Sequence, residues 1–510
     1  MRKQIDWFAT VVPLVGIVLV CSLFMAFPEQ SSAFLQTVRG FLGNEGSIYY
    51  AALGLGIFLC TLYIAFSRYG KIRLGNTVKP QYSSFQWGTM IFTSTMAADI
   101  LFYSLCEWAL YAEESYITEL GGIQKWASTY PLFHWGPIAW GFYIILAVAF
   151  GFMLHVRGCE KQKFSEACRP ILGKRTDTAW GRIIDLIAIF ALLAGTATTF
   201  SLATPLLSAA VSRIFGFTNG TILTIIILLM IAVVYTLTVW FGMKGIAKLA
   251  AGCAYLFFVL LIYVLLAGGE TVYILETGFS AMGNMIQNFI GMATWLDPLS
   301  ENSFPQNWTV YYWAYWMVWC VATPFFIGTI SKGRTIKNII LGGYGWGLAG
   351  TFTSFIILGN YGMAQQLKHG VDISGTIAAS DNYSEAILMV FDTLPLSHLG
   401  LLLLTITMIA FYATTFDSIT MVISAYSYKK LRMGAEPDKR IRTFWAIMFI
   451  LFPIVLIFTG NSLYNLQSVS IIAAFPIGVI VLLIIISFFK DSGKYMEEDK
   501  KEEIQNEENI

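Results

Sequence analysis

Residues 308–319 read WTVYYWAYWMVW, with seven aromatic side chains in twelve positions. On a helix, Tyr312, Trp316, Trp319 and Thr323 fall at i, i+4, i+7 and i+11 and so share one face. Aromatic faces carry negative quadrupole charge. Grouped around a cavity, they hold a cation that offers no N–H donor, such as a quaternary ammonium. The alternative is an interfacial aromatic belt, but a belt sits at the ends of a span and this run extends about three turns into one. A second aromatic element is LFHWGPIAWGFY, 132–143. Its Gly136-Pro137 pair breaks regular helix, which lets Trp135 and Trp140 converge, with Tyr143 three residues later. His134 reads as a hydrogen-bonded interfacial histidine rather than a ligand or proton carrier.

Ionisable side chains at membrane depth are costly, so each one marks a candidate site. Asp99 lies mid-span in FTSTMAADILFYSLCEW, 92–108, after a run of small and polar residues. Such a run suits a close helix contact, or an unwound section whose carbonyls and hydroxyls ligate an ion. A structural hydrogen bond to a neighbouring helix is the other reading of Asp99. Glu107, nearer the end of the span, reads as interface solvation or a helix–helix bond. A further polar patch is ATTFDS, 413–418, where paired hydroxyls beside Asp417 offer hard oxygen ligands for Na⁺. Serine and threonine also bond their own helix carbonyls routinely.

The elements that must position these residues are membrane helices. Of 510 residues, 56% are hydrophobic and 12% charged, and the mean hydropathy is +0.65; soluble domains carry about 25% charged residues. The expected spans are 7–27, 47–67, 85–112, 131–156, 180–206, 219–241, 246–267, 308–330, 336–359, 399–427, 442–459 and 466–489, an all-α polytopic architecture of about twelve helices. Lys and Arg gather in alternate loops, at 68–73, 157–175, 244–248, 332–337 and 429–440, while the intervening loops carry Glu114, Glu270, Asp297 and Asp372. This alternation predicts a multi-pass protein of the cell membrane with both termini cytoplasmic. Residues 269–303 predict an amphipathic helix or linker along the outer surface. Residues 490–510 read as a charged, solvated, partly disordered tail. The N-terminal apolar stretch reads as a retained first span rather than a signal peptide.

Function classes narrow accordingly. The seven cysteines form no CxxC pair and read as small buried hydrophobes. There is no GxxxxGK[ST] phosphate loop and no HExxH, and no basic arm for nucleic acid. The expectation is a non-enzyme without cofactors, whose transport runs on an ion gradient, on exchange or on passive flow. A membrane sensor that kept a binding cage is the reading from another class.

FPQNWTVYYWAYWMVW…TISKGRTIKN, 304–338, closely resembles the signature of the betaine/choline/carnitine transporters. LFHWGPIAWGFY resembles that family's other aromatic helix, and FYATTFDS its ion-site helix. The resemblance implies a LeuT-like core of two inverted five-helix repeats, here 81–268 and 304–489, after two peripheral helices in 1–80. It implies homotrimers in membrane lipid. It implies an aromatic box of Trp135, Trp140, Tyr143 and Trp316, with Trp319 near a second or transient site, and Tyr312 and Met96 among the substrate-binding residues. By resemblance, a sodium site draws on Thr93, Met96, Phe411, Thr414 and Thr415.

Two departures sharpen this. Betaine carriers of the family have a glycine-rich run where this chain has Thr95-Met96-Ala97-Ala98-Asp99, whereas choline-type members resemble this chain in having Asp. An ionised Asp99 about 4 Å from a betaine carboxylate would repel it by about 4 kcal/mol at an effective dielectric of ~20. Choline, a cation with a hydroxyl, is attracted instead. Sodium-independent carnitine exchangers place an Arg where Cys253 stands here, which argues against that exchange mechanism. Na⁺ or H⁺ coupling stays open, because Asp99 can itself carry a proton. The family often has two adjacent Trp in the aromatic helix; here the first is Tyr315, about 100° round the helix from Trp316.

Overall fold

A chain crossing hydrocarbon must satisfy its backbone groups internally, and this one does so with helices. The computed structural model describes residues 5–508 apart from 78, 96–97, 239–241, 381, 432–434 and 459–462. At 94–95, 98, 242–247, 452, 456–458, 463–464, 466, 502–504 and 506–508 it describes the backbone alone. Among the described residues all regular structure is helical, and β pairing is limited to the isolated bridges Ile5–Tyr428 and Arg73–Thr335.

The principal helices are α1 (Trp7–Ala26), α2 (Pro28–Arg39), α3 (Ser47–Phe66), α4 (Ser84–Thr95), α5 (Ala98–Ala112), α6 (Thr129–His134), α7 (Pro137–His155), α8 (Ala179–Phe215), α9 (Thr221–Thr238) and α10 (Gly242–Ala267). They continue with α11 (Thr271–Thr294), α12 (Tyr311–Trp319), α13 (Thr323–Ile330), α14 (Ile336–Ser354), α15 (Ser397–Tyr426), α16 (Lys439–Phe458) and α17 (Leu463–Glu508). Among the described residues nine segments are long and apolar enough to cross a membrane, or ten with α12 and α13 counted as one span bent by 53°. The other two expected spans are present in different form. Residues 85–112 are α4 and α5, on either side of Met96-Ala97, and 442–458 lies within α16, with 459 outside the described residues.

Two helices sit at the centre. Every residue of α7 from Ile138 to Leu154 is buried, and so is every residue of α12. Helices α1 and α9 turn apolar side chains outward, as lipid-facing helices do, with Val15, Leu19, Ile222 and Val233 exposed.

The loops grouped by charge touch one another. Asp6 N–H donates to the Ser427 carbonyl (2.8 Å), Leu74 N–H to Arg334 (2.9 Å) and Leu431 N–H to Glu160 (3.1 Å). Lys163 pairs with Asp6 at 2.7 Å. This is the basic face. At the opposite, acidic face, Trp308 Nε1 donates to Glu114 (2.6 Å) and Arg213 pairs with Glu385 and Asp392.

Two segments depart from expectation. The stretch read as a disordered tail continues α17 as helix to Glu508, and it is fastened to the body. Arg157 pairs with Asp491 and Glu498, both at 2.9 Å, and Ser492 is fully buried. Hydropathy sees the charges of such a segment and not the partners waiting for them. Helix α11 is amphipathic as expected, but its outward stripe of Val272, Leu275, Phe279, Ile286 and Ile290 is apolar and exposed.

Candidate functional site

The Gly136-Pro137 break does what its sequence suggests. Trp135 ends α6, its N–H bonded to the Pro131 carbonyl at 3.0 Å. Gly136 is extended, and Pro137 opens α7, where its missing N–H costs nothing. Trp135 is thereby swung toward the face of α7 that carries Trp140 and Tyr143. Trp316 of α12 stands among the three. Its ring centroid lies 5.6 Å from that of Trp135, 5.5 Å from Trp140 and 4.7 Å from Tyr143. All four side chains are buried. The four side chains expected to form the box therefore meet, with Trp316 in contact with each of the other three.

The sequence did not point to what backs the box. Gly347 of α14 lies so close that a Cβ there would sit 2.5 Å from the Trp140 ring, so only glycine lets this indole take its place. Phe355 packs on the Trp135 ring at 5.3 Å. The buried indole N–H groups of Trp140 and Trp316 have no acceptor among the described residues.

Asp99 is buried on α5, and its Oδ2 accepts from the Tyr315 hydroxyl and, at 3.3 Å, from Thr199 Oγ1 of α8. The Thr199 and Tyr315 hydroxyl oxygens lie 2.8 Å apart, so the two protons of this cluster are shared among three contacts. The Tyr315 ring in turn lies 6.5 Å from Trp135. Tyr315, which points away from Trp316 on a helical wheel, is thus the link between the box and the carboxylate. Met96 lies outside the described residues.

The single face drawn through Tyr312, Trp316, Trp319 and Thr323 does not survive as one. Tyr312 stacks on His134 (4.8 Å), donates to Glu107 Oε2 at 2.7 Å and meets the Trp135 ring edge-on at 5.8 Å, so it contacts the box through Trp135. Trp319 faces α8 at Gly195 and Phe416 at 6.3 Å, away from the box. Thr323 begins α13 beyond the 53° bend. A wheel assumes one straight helix, and this one breaks at 320–322. Glu107 proves to be a helix–helix node: it is fully buried and also accepts from Trp135 Nε1 at 2.8 Å.

Of the candidate ion ligands, Thr93 and Thr415 meet, with Thr415 Oγ1 donating to the Thr93 carbonyl at 3.1 Å. Thr414 Oγ1 donates to the Ala410 and Phe411 carbonyls, both at 3.1 Å. Cys253 Sγ reaches the Ala410 carbonyl at 3.3 Å. Thr415 thus ties α15 to α4 at Thr93, while the Thr93 and Thr414 hydroxyls bond carbonyls of their own helices. Asp417 takes no part in this. It is bonded to Arg442 of α16, and both side chains are buried.

The chain matches the family model described as BCCT, betaine/carnitine/choline family transporter, over residues 8–497. It is 30% identical over 475 residues to a probable glycine betaine transporter of Desulfitobacterium hafniense, covering 91% of this chain and 92% of that one. It is 29% identical to the glycine betaine transporter OpuD of Bacillus subtilis, covering 93% and 92%. It is 28% identical to a carnitine transporter of Acinetobacter baumannii, covering 86% and 80%.

Proposed function

This chain belongs to the betaine/carnitine/choline transporter family, and we propose that within it the protein imports choline by ion-coupled alternating access. As a family member it is a secondary transporter of the membrane. The observation that carries the choline reading is the buried carboxylate of Asp99, joined to the box by Tyr315 and bonded by hydroxyls. The box of Trp135, Trp140, Tyr143 and Trp316 takes the trimethylammonium head. Asp99 supplies the negative charge and acceptor that a hydroxyl-bearing cation needs and a betaine carboxylate does not.

In this reading Thr93, Phe411, Thr414 and Thr415, with Met96, hold the coupling Na⁺, and H⁺ is the other candidate. The basic face is cytoplasmic, the two inverted repeats rock about the box, and the chain works as a homotrimer. The exposed apolar stripe of α11 supports an assembly or lipid contact there. A second reading, transport of glycine betaine or carnitine, is favoured by the names of the relatives and by the unpartnered indole N–H groups of Trp140 and Trp316, which suit a ligand with an acceptor. Uptake of choline and of glycine betaine into proteoliposomes, with Na⁺ and H⁺ gradients imposed separately, separates the readings. Concentrative uptake of choline supports the first, and uptake of betaine alone sinks it.

A further inference from the structure

Three donors converge on the buried carboxylate of Glu107. Trp135 Nε1 (2.8 Å) and the Tyr312 hydroxyl (2.7 Å) reach Oε2, and the Tyr111 hydroxyl (2.6 Å) reaches Oε1. Tyr111 has one proton and gives it to Glu107, so it must accept at its 2.7 Å contact with His134 Nδ1. His134 therefore carries its proton on Nδ1, and Nε2 accepts from Thr309 Oγ1 at 3.0 Å. Every donor in this chain points the same way, from Thr309, next to the Trp308–Glu114 contact of the acidic face, inward to the acid behind Trp135.

We propose that Glu107 is a proton-binding site, filled from the acidic face through His134 and Tyr111, whose occupancy opposes cation binding in the box. One proton enters at His134 Nε2. The Nδ1 proton passes to Tyr111 as the Tyr111 proton passes to Glu107 Oε1. His134 ends neutral with its proton on Nε2, and the only net change is at Glu107, from −1 to 0. Glu107 then donates to Tyr111, Tyr111 to His134 Nδ1, and His134 Nε2–H to Thr309. The chain has reversed direction and kept every hydrogen bond, while Oε2 still accepts from Trp135 and Tyr312. A buried network with two fully satisfied arrangements takes up a proton without stranding a polar group.

The other titratable groups around Glu107 are Cys106 on its own helix, Asp99 two turns along it, Tyr103, and Tyr130, which packs on both Tyr111 and His134. Of the neighbouring segments, Ser115–Leu120 carries Tyr116 and Glu119, and Ile123–Trp126 carries Lys125, which lies over Trp126. Helix α14 carries Lys337 and Tyr344, the latter bonded to Thr61. Tyr311 and Tyr315 lie on α12, with Arg39 beyond Tyr311. The flanking segments Phe355–Gly359 and Ile373–Ser380, which also pack on α5, contain none. On Tyr383–Asp392, Tyr383 faces Phe102, and Glu385 and Asp392 pair with Arg213. From helix Asn360–His369, Tyr361 bonds Thr393, and Lys368 and His369 pair with Glu270. On α8, Asp185 is held by Ser165; on α15, Tyr412 bonds Thr204 and Asp417 pairs with Arg442.

Trp135 couples the acid to the box, since its N–H is held by Glu107 while its ring forms a wall. An ionised Glu107 favours a cation there and a neutral one does not, so each event weakens the other. This coupling rests on the box reading; the proton site does not.

The test is infrared difference spectroscopy of the full-length protein in proteoliposomes after a jump to acid pH. A protonated-carboxyl band should appear, vanish in Glu107→Gln, and rise more slowly in His134→Gln, which interrupts the relay and spares the acid. No band in the wild type, an unchanged band in Glu107→Gln, or an unslowed rise in His134→Gln overturns the proposal. Choline affinity, measured in parallel by tryptophan fluorescence, should fall by up to about tenfold per pH unit below the midpoint. In Glu107→Gln the dependence should be shallower than in the wild type, with Asp99 as the carboxylate that remains near the box. A Glu107 band without any trimethylammonium binding defeats the box and leaves the proton site standing; binding with the band unchanged in Glu107→Gln does the reverse.

Discussion

Two stretches of this chain look alike in sequence: TSTMAAD, ending at Asp99, and ATTFDS, containing Asp417. Each sets a carboxylate among hydroxyl and small residues in the middle of an apolar segment. Their surroundings separate them. Asp417 is locked to the guanidinium of Arg442, with both side chains buried, and its charge is spent inside the protein. Asp99 is bonded to the hydroxyls of Tyr315 and Thr199, and Tyr315 leads straight to Trp135. Hydroxyls orient a carboxylate without cancelling its charge. The pair teaches that the flanking residues make a buried acid tolerable, while its partner decides whether the acid can act on a substrate.

The contrast breaks first at Asp417. Asp417→Ala leaves the buried Arg442 with Glu436, 3.8 Å away and half-exposed, in place of its close acid, and should destabilise the protein by up to about 3 kcal/mol, read as a lower denaturation midpoint in detergent. Asp417→Leu combined with Arg442→Met should recover most of that loss. Full uptake by the double variant would make the pair purely structural. On the other side of the contrast, Trp316→Ala removes the ring common to all three box contacts. It should weaken choline and betaine alike by at least ~30-fold, from about 2 kcal/mol per desolvated cation–π contact. Equilibrium binding checks this, and retained affinity would remove Trp316 from the site.

Smaller effects sharpen the picture. Gly347→Ala forces a methyl into the Trp140 ring and should cost about 1–3 kcal/mol by overpacking. Affinity should fall more than stability if the strain is relieved by moving Trp140. Arg213→Ala cuts two exposed ion pairs at the acidic face and should change the denaturation midpoint by less than about 1 kcal/mol. A large effect there would mean that the surface pairs hold a conformation rather than decorate one.

How legible these regions were follows the same division. Hydropathy gave the helical architecture and the alternation of loops, because crossing a bilayer constrains every residue of a span. The approach of Trp135 and Trp140 to a common neighbour was legible because Gly136-Pro137 marks the break between α6 and α7; the fourth member of the box, Trp316, came from the family resemblance. Tyr315 and Arg442 were not legible, for a common reason. Each acquires its role from a contact with another helix, 216 residues away for Tyr315 and Asp99, and 25 for Arg442 and Asp417. Thr323 lies beyond the bend at 320–322, which a straight helical wheel cannot contain. The helical tail was hidden for a related reason, since Arg157, which fastens it, lies in a loop far back in the chain.

The claim that Asp99 reads the far end of the substrate is tested most directly by one ratio. Choline and glycine betaine affinities are measured by competition in the wild type and in Asp99→Gly. The prediction is a wild type that prefers choline and a variant whose preference shifts toward betaine by about 10–100-fold, within the roughly 4 kcal/mol set by the carboxylate repulsion. An unchanged ratio would contradict it.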